Sequence, residues 1–158
     1  MKLKPAAMLF DMDGTLTDAR RPITEDVVDI LRSIPSGIKK YLVTGSDMKK
    51  VEEQIPQHIL SELFNKIYAC NGTVVYNCDL DMDDEHGSLE PELVHRVTLR
   101  DHYSDADISH IINVLLRTAA ETHTKIKTGT FVEWRDSQIN FSVVGRNCSI
   151  DQRENYMK

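Results

Sequence analysis

The sequence predicts an α/β fold, a parallel sheet covered by helices, joined to a separate α+β lobe with an antiparallel sheet. Two observations carry this. Over roughly the first seventy residues, short apolar runs alternate with amphipathic stretches, and each run ends in a polar or Gly-containing turn. That alternation belongs to parallel strands joined by crossover helices, with ligands at the strand C-terminal ends. After residue 78 the pattern changes to an acidic stretch, one long amphipathic segment and two alternating segments with a tight turn between them. A small antiparallel sheet beside a helix has that pattern.

Residues 6–10, Ala-Ala-Met-Leu-Phe, form a compact apolar run that stops at Asp11-Met12-Asp13-Gly14, as a strand buried on both faces does. Thr24 precedes Val27, Val28, Ile30 and Leu31 at helical spacing and is placed to cap that helix. Pro35-Ser36-Gly37 ends it. Lys40 to Thr44 reads as a second strand running into Gly45-Ser46-Asp47, and a second helix spans about Met48 to Gln54 and stops near Pro56. Lys66 to Cys70 is a third short strand ending at Asn71-Gly72, and Val74-Val75-Tyr76 a further one. Residues 79–92 are acidic. A long helix over 105–121, with Ser104 as N-cap, carries Ile108, Ile111, Ile112, Leu115 and Leu116 on one face. Residues 130–135 and 138–144 alternate about a hairpin turn at Asp136-Ser137.

A chain of 158 residues with 41% hydrophobic and 28% charged residues buries a real core and is neither disordered nor fibrous. The formal net charge of −6 argues against nucleic acid as partner, because a phosphate backbone needs a concentrated basic face. It does not exclude a phosphorylated metabolite, which a few placed arginines or a divalent metal can hold. The three cysteines, Cys70, Cys78 and Cys148, include no CxxC pair, so free thiols in a reducing compartment are expected. The apolar run near the N-terminus is broken by Asp11 and Asp13 and reads as neither signal peptide nor membrane span. The protein is therefore expected in the cytoplasm, with no membrane partner, and the sequons at Asn71 and Asn147 are expected to stay unmodified.

The chemistry concentrates at Asp11-Met12-Asp13-Gly14-Thr15. Residues i and i+2 of a strand point the same way, so two carboxylates leave a hydrophobic strand together. Such a pair can share a Mg²⁺ ion, a hard cation that takes oxygen ligands. A carboxylate nucleophile accepts a phosphoryl group as an acyl phosphate, and the second carboxylate serves as acid and base for the leaving and accepting oxygens. Thr15 and the amides after Gly14 are placed to hold phosphate oxygens. The plainer alternative is an Asp-Gly turn after a strand; the position of the motif at the end of an apolar run, with Gly45-Ser46 closing the next strand, favours the chemical reading.

LFDMDGTLT resembles the first motif of the haloacid dehalogenase superfamily, and VTGS its second. The resemblance implies a Rossmann-like core with Asp11 as nucleophile, Asp13 as general acid/base, both as metal ligands, and Ser46 on the transferred phosphate. Ser46 is also expected to cap the second helix, since a helix N-terminus favours anions. A narrower resemblance runs through DGTLT, TGSD, NGTVVY, GTFVEWR, INFSVVGRNCS and Arg153, which together are similar to eukaryotic-type phosphomannomutases. It is closest over roughly 8–78 and 129–154 and loose through 79–125. It implies interconversion of mannose 6-phosphate and mannose 1-phosphate, feeding GDP-mannose supply. The implied cofactors are Mg²⁺ and a hexose 1,6-bisphosphate activator. Cap arginines Arg135, Arg146 and Arg153 and the core arginine Arg20 would bind the substrate, since an Arg fork matches phosphate geometry. The plainer alternative for each is a surface cation.

On this resemblance residues 1–78 are the N-terminal half of the phosphotransferase core and 79–158 an incomplete cap. The C-terminal half of the core, with the family's lysine and acidic metal group, has no counterpart up to Lys158. A truncated enzyme is expected, with one side of the first or third strand unpaired. A homodimer through the cap is also implied, Phe131 being a candidate for its interface or for the lobe core. The alternatives are a sugar-phosphate phosphatase of the same superfamily and a catalytically incomplete remnant. Asp79, Asp81, Asp83 and Glu90 match part of a calcium-loop pattern, but Asp84 stands where glycine is needed, so a solvated acidic loop is expected. The six histidines lack zinc-site spacing, and Trp134 is expected in packing.

Overall fold

A computed structural model describes residues 6–18, 21–79 and 90–157. Two compact units divide the chain, Met1–Val97 and Thr98–Lys158. The change of composition at residue 78 thus falls inside the first unit, because a strand beyond it returns to the same sheet.

The first unit is a five-stranded sheet in the order β1-β2-β3-β4-β5, with β1 Ala7–Asp11, β2 Lys39–Val43, β3 Lys66–Ala69, β4 Val74–Asn77 and β5 Glu92–Arg96. β1 pairs with β2 in parallel from Ala7 opposite Lys39 to Asp11 opposite Val43. β2 pairs with β3 in parallel, whereas β4 and β5 add antiparallel, with a bulge between Val75 and Tyr76. Among the described residues β1 is an edge strand, and Leu9 on it is 68% exposed.

Helices α1 (Glu25–Ser33), α2 (Met48–Gln54) and α3 (Gln57–Leu63) belong to this unit. In α1, Val28 and Leu31 are buried, while Ile30 faces outward, which corrects its place in the apolar stripe. Thr24 is the N-cap residue by backbone geometry, but its side chain makes no capping hydrogen bond; Glu25 and Asp26 in the first turn favour the helix start instead. Pro56 does not only end α2. It stands immediately before α3, a position that suits proline's fixed φ and missing N–H. The core joins Val28 and Leu31 to Leu42, Val51, Ile55, Leu60, Leu63, Phe64 and Ile67, and Phe10 meets Phe64 edge to face.

The second unit holds helix α4 (Asp105–Glu121), the hairpin β6 (Val132–Trp134) and β7 (Ile139–Phe141), and helix α5 (Ile150–Met157). Ser104 caps α4 in a reciprocal box with Asp107, and its hydrogen bonds hold the Asp107 carboxyl below the usual range. Of the predicted apolar face only Ile108 is buried; Ile111 and Leu116 are exposed, because a two-stranded ribbon is too narrow to cover so wide a stripe. Trp134 is 38% exposed, its ring under the Arg100 guanidinium at 5.4 Å. Among the described residues no helix is long and apolar enough to cross a membrane.

Candidate active site

The parallel register places three turns on one edge of the first sheet. Asp11 ends β1 beside Val43, the last residue of β2, and Val43 lies beside Tyr68 of β3. The turns that follow carry Asp13, Ser46 and Asn71 respectively.

The first turn is built on Met12. Its side chain is fully buried, while Asp11 and Asp13 on either side are exposed, so strand alternation sends both carboxylates away from the core. The Met12 carbonyl accepts from the amides of Thr15, Leu16 and Thr17 and from the Thr17 hydroxyl. Gly14, at φ +82°, supplies the left-handed turn and donates its amide to the Thr17 carbonyl at 2.7 Å.

Gln54, at the end of α2, sits beneath this turn and is 5% exposed. Its Oε1 accepts from the Thr17 hydroxyl at 2.8 Å, and its Nε2 donates to Asp13 Oδ1 at 3.2 Å. The amide orientation is thereby set: the oxygen faces a hydroxyl donor and the nitrogen a carboxylate. Sequence reasoning missed Gln54. The available signal is a polar residue on the helix face that also carries Val51 and Ile55, both fully buried.

The second turn places Ser46 just before α2, but the helix cap is Asp47, whose carboxylate accepts from the Lys50 amide at 2.9 Å. The expected capping role of Ser46 is thus taken by its neighbour. Ser46 is instead held by its main chain: its amide donates to Thr44 Oγ1, and its carbonyl accepts from the Cys70 amide at 2.9 Å. The Asn71 amide donates to the Thr44 carbonyl at 2.9 Å.

Among the described residues no group of three or more His, Cys, Asp or Glu side chains is arranged to hold a metal. Two exposed carboxylates at a strand end nonetheless suit Mg²⁺, which takes one or two carboxylates and completes its shell from water and substrate phosphate.

The second unit brings two of the predicted arginines together. Arg135 donates to Glu133 Oε2 through Nε at 3.0 Å and Nη2 at 2.7 Å. Asn140 Nδ2 reaches the same oxygen at 3.1 Å, and Arg146 Nε lies 3.6 Å from it. Burial pushes the Glu133 carboxyl up, but the Asn140 and Arg135 hydrogen bonds and the Arg146 charge outweigh it and hold it below the usual range. Arg146 follows Gly145, at φ +89°, where an added Cβ would lie 2.2 Å from the Gly129 carbonyl oxygen. Arg153 is exposed on α5. Arg20, Asp81 and Asp83 lie outside the described residues. Cys70, Cys78 and Cys148 are free and buried, as a reduced set would be, and desolvation pushes the Cys78 thiol up to about 12.

A parallel strand that ends in Asp-x-Asp, a second that ends in Thr-Gly-Ser, and an additional α+β unit define a partial α/β fold of the haloacid dehalogenase type. An IMP-bound mutant of the IMP-nucleotidase of Plasmodium falciparum shares the fold, with a TM-score of 0.54 at 12% identity over 96% of this chain and 43% of that one. The eukaryotic phosphomannomutase family matches residues 27–158, and the chain belongs to that family. The phosphomannomutase of Galdieria sulphuraria is 36% identical over 150 residues, which cover 95% of this chain and 55% of that protein. Phosphomannomutase 1 of Dictyostelium discoideum is 35% identical, covering 100% of this chain and 59% of its own length. The chain spans little more than half the length of these relatives.

Proposed function

We propose that the chain carries the phosphoryl-accepting strand and the phosphate-gripping arginines of a phosphomannomutase, which interconverts mannose 6-phosphate and mannose 1-phosphate for GDP-mannose supply. The observation that carries the reading is the Asp11-Met12-Asp13 turn, in which a buried methionine leaves two carboxylates exposed at the C-terminal end of a parallel strand. Family membership supports a hexose phosphate as the substrate class.

In this mechanism the cycle starts from phospho-Asp11: the free hydroxyl of the hexose monophosphate attacks its phosphorus while Asp13 takes the hydroxyl proton, and the acyl-phosphate bond breaks to leave a hexose bisphosphate. The bisphosphate reorients, an Asp11 carboxylate oxygen attacks the phosphorus at its other end, and the bond from that phosphorus to the sugar oxygen breaks. Asp13 returns its proton to that oxygen, so phospho-Asp11 is regenerated and the isomeric monophosphate leaves. Ser46 holds the transferred phosphate, and Arg20, Arg135, Arg146 and Arg153 hold the sugar and its distal phosphate. Bound Mg²⁺, with Asp11 and Asp13 among its ligands, supplies charge neutralisation that lets an anion approach an anion. A hexose 1,6-bisphosphate primes the nucleophile. Residues 1–78, with β5 added to their sheet, act as the core portion and the second unit as the cap, through which two copies pair, and the protein works in the cytoplasm.

The test is incubation of the 158-residue chain with glucose 1,6-bisphosphate and Mg²⁺, followed by mass spectrometry of the Asp11 peptide. Phosphorylation that is absent in Asp11→Asn, with mannose 6-phosphate formed from mannose 1-phosphate, supports the reading. Release of free phosphate alone points to a phosphatase, and no phosphoenzyme to a remnant.

A further inference from the structure

The hairpin of the second unit has a feature that the arginines alone do not explain. Glu133 and Arg135 are two apart on β6 and so share a face, and Asn140 is the direct cross-strand partner of Glu133. One oxygen, Glu133 Oε2, is met by Arg135 Nε and Nη2, by Asn140 Nδ2 and, at ion-pair range, by Arg146 Nε. The Arg135 side chain is 7% exposed, the Glu133 side chain 33% and that of Arg146 27%. A guanidinium buried to that degree needs a fixed counter-charge, and Glu133 supplies one to Arg135.

A lone acid between two arginines has two possible consequences. It can neutralise them and compete with an anion, or it can hold the planar fork at one angle so that an arriving phosphate finds it already oriented. The geometry favours the second. The Arg135 contact uses the Nε edge on a single oxygen, Asn140 fixes that oxygen from the facing strand, and Arg146 is held on its own loop by its amide bond to the Thr130 carbonyl at 3.1 Å. We infer that Glu133 is a positioning residue that orients Arg135 for a sugar phosphate. The inference rests on the reading that these arginines bind that ligand.

The two roles give opposite signs when the charge is removed, which makes the experiment decisive. Mannose 6-phosphate and inorganic phosphate are titrated calorimetrically into the native 158-residue chain and into Glu133→Gln, Arg135→Ala and the double variant, with thermal unfolding as a check on folding. Positioning predicts about tenfold or greater weakening of mannose 6-phosphate by Glu133→Gln, the size of a lost charge-assisted hydrogen bond, and no further loss in the Arg135→Ala background. The Arg135 Nε–Hε proton, followed by NMR, exchanges faster in Glu133→Gln without ligand. Unchanged or tighter binding in Glu133→Gln, or losses that simply add in the double variant, overturn the inference. If Glu133→Gln does not fold, Glu133→Asp keeps the charge and withdraws the oxygen by one methylene; weaker binding then supports the inference and native affinity overturns it. A native chain that binds neither ligand overturns the functional reading and the inference together, whereas binding lost in Arg135→Ala but intact in Glu133→Gln overturns the inference alone.

Discussion

Gln54 Nε2 donates to Asp13 Oδ1 at 3.2 Å, from a side chain whose other end is fixed by the Thr17 hydroxyl at 2.8 Å. A buried amide with both ends engaged is a rigid support, because turning it over would set its oxygen against the Asp13 carboxylate, which has no proton to donate when ionised. Gln54→Leu keeps the volume and removes both bonds. The expected cost is about 1–3 kcal/mol in urea unfolding, as for other buried hydrogen bonds. On the proposed mechanism, phosphoenzyme formation should slow as Asp13 loses its anchor, while hexose phosphate binding by the second unit should be unchanged. Native stability in this variant would contradict the support role.

Gly145 stands where no side chain fits. A Cβ there lies 2.2 Å from the Gly129 oxygen and 2.7 Å from the Gly129 nitrogen, at a φ of +89°. Gly145→Ala therefore costs about 2 kcal/mol or more, through strain and displacement of backbone. The unfolding temperature should fall by several degrees, and, if Arg146 binds phosphate as proposed, phosphate binding should drop because Arg146 is the next residue along.

Acid should act on the hairpin through Glu133. Its carboxyl is held below the ordinary 4.5 in the folded chain, so the folded state binds the proton less readily than the unfolded state. The contribution to stability is complete above the ordinary value and is lost as pH falls through the lowered one. Melting curves from neutral pH down to about pH 3, native against Glu133→Gln, should show the native advantage shrinking on acidification. An advantage that grew in acid would contradict this assignment.

Trp134 is the sole tryptophan, so its fluorescence reports the contact with Arg100 at 5.4 Å. Arg100→Ala should change the emission intensity or maximum while costing under about 1 kcal/mol, the usual worth of an exposed cation–π pair. An unchanged spectrum would show that the two groups do not stack in solution.

The legible parts of the chain are those whose physics is local. α4 was readable to the residue because Ser104 caps it and its apolar positions recur with helical period, whereas α2 was readable in its bounds but not in its cap, which is Asp47 rather than Ser46. The Asp11–Asp13 turn was readable as a strand end because the apolar run and the Asp-Gly turn that closes it lie in consecutive residues. α3 was missed because Pro56 reads as a stop, although the same missing N–H makes it a good start. β5 was missed because all its residues are exposed and only pairing with β4 makes it a strand. α5 has no buried residue to give it a period. Gln54 and Glu133 escaped for a different reason: their partners define them. Asp13 is 41 residues from Gln54, and Asn140 faces Glu133 across a hairpin.

The lacing between the second and third turns extends the active region beyond the residues that do chemistry. Ser46 and Thr44 are gripped through their carbonyls by the amides of Cys70 and Asn71, and Asn71 holds a left-handed backbone at φ +58° beside Gly45. The serine's location is therefore dictated in part by the turn after β3. Swapping Asn71 for a β-branched residue, which resists that backbone, would drag the serine out of position from a distance. If Ser46 holds the transferred phosphate as proposed, anyone redesigning the turn after β3 is retuning catalysis, whether or not that is the aim.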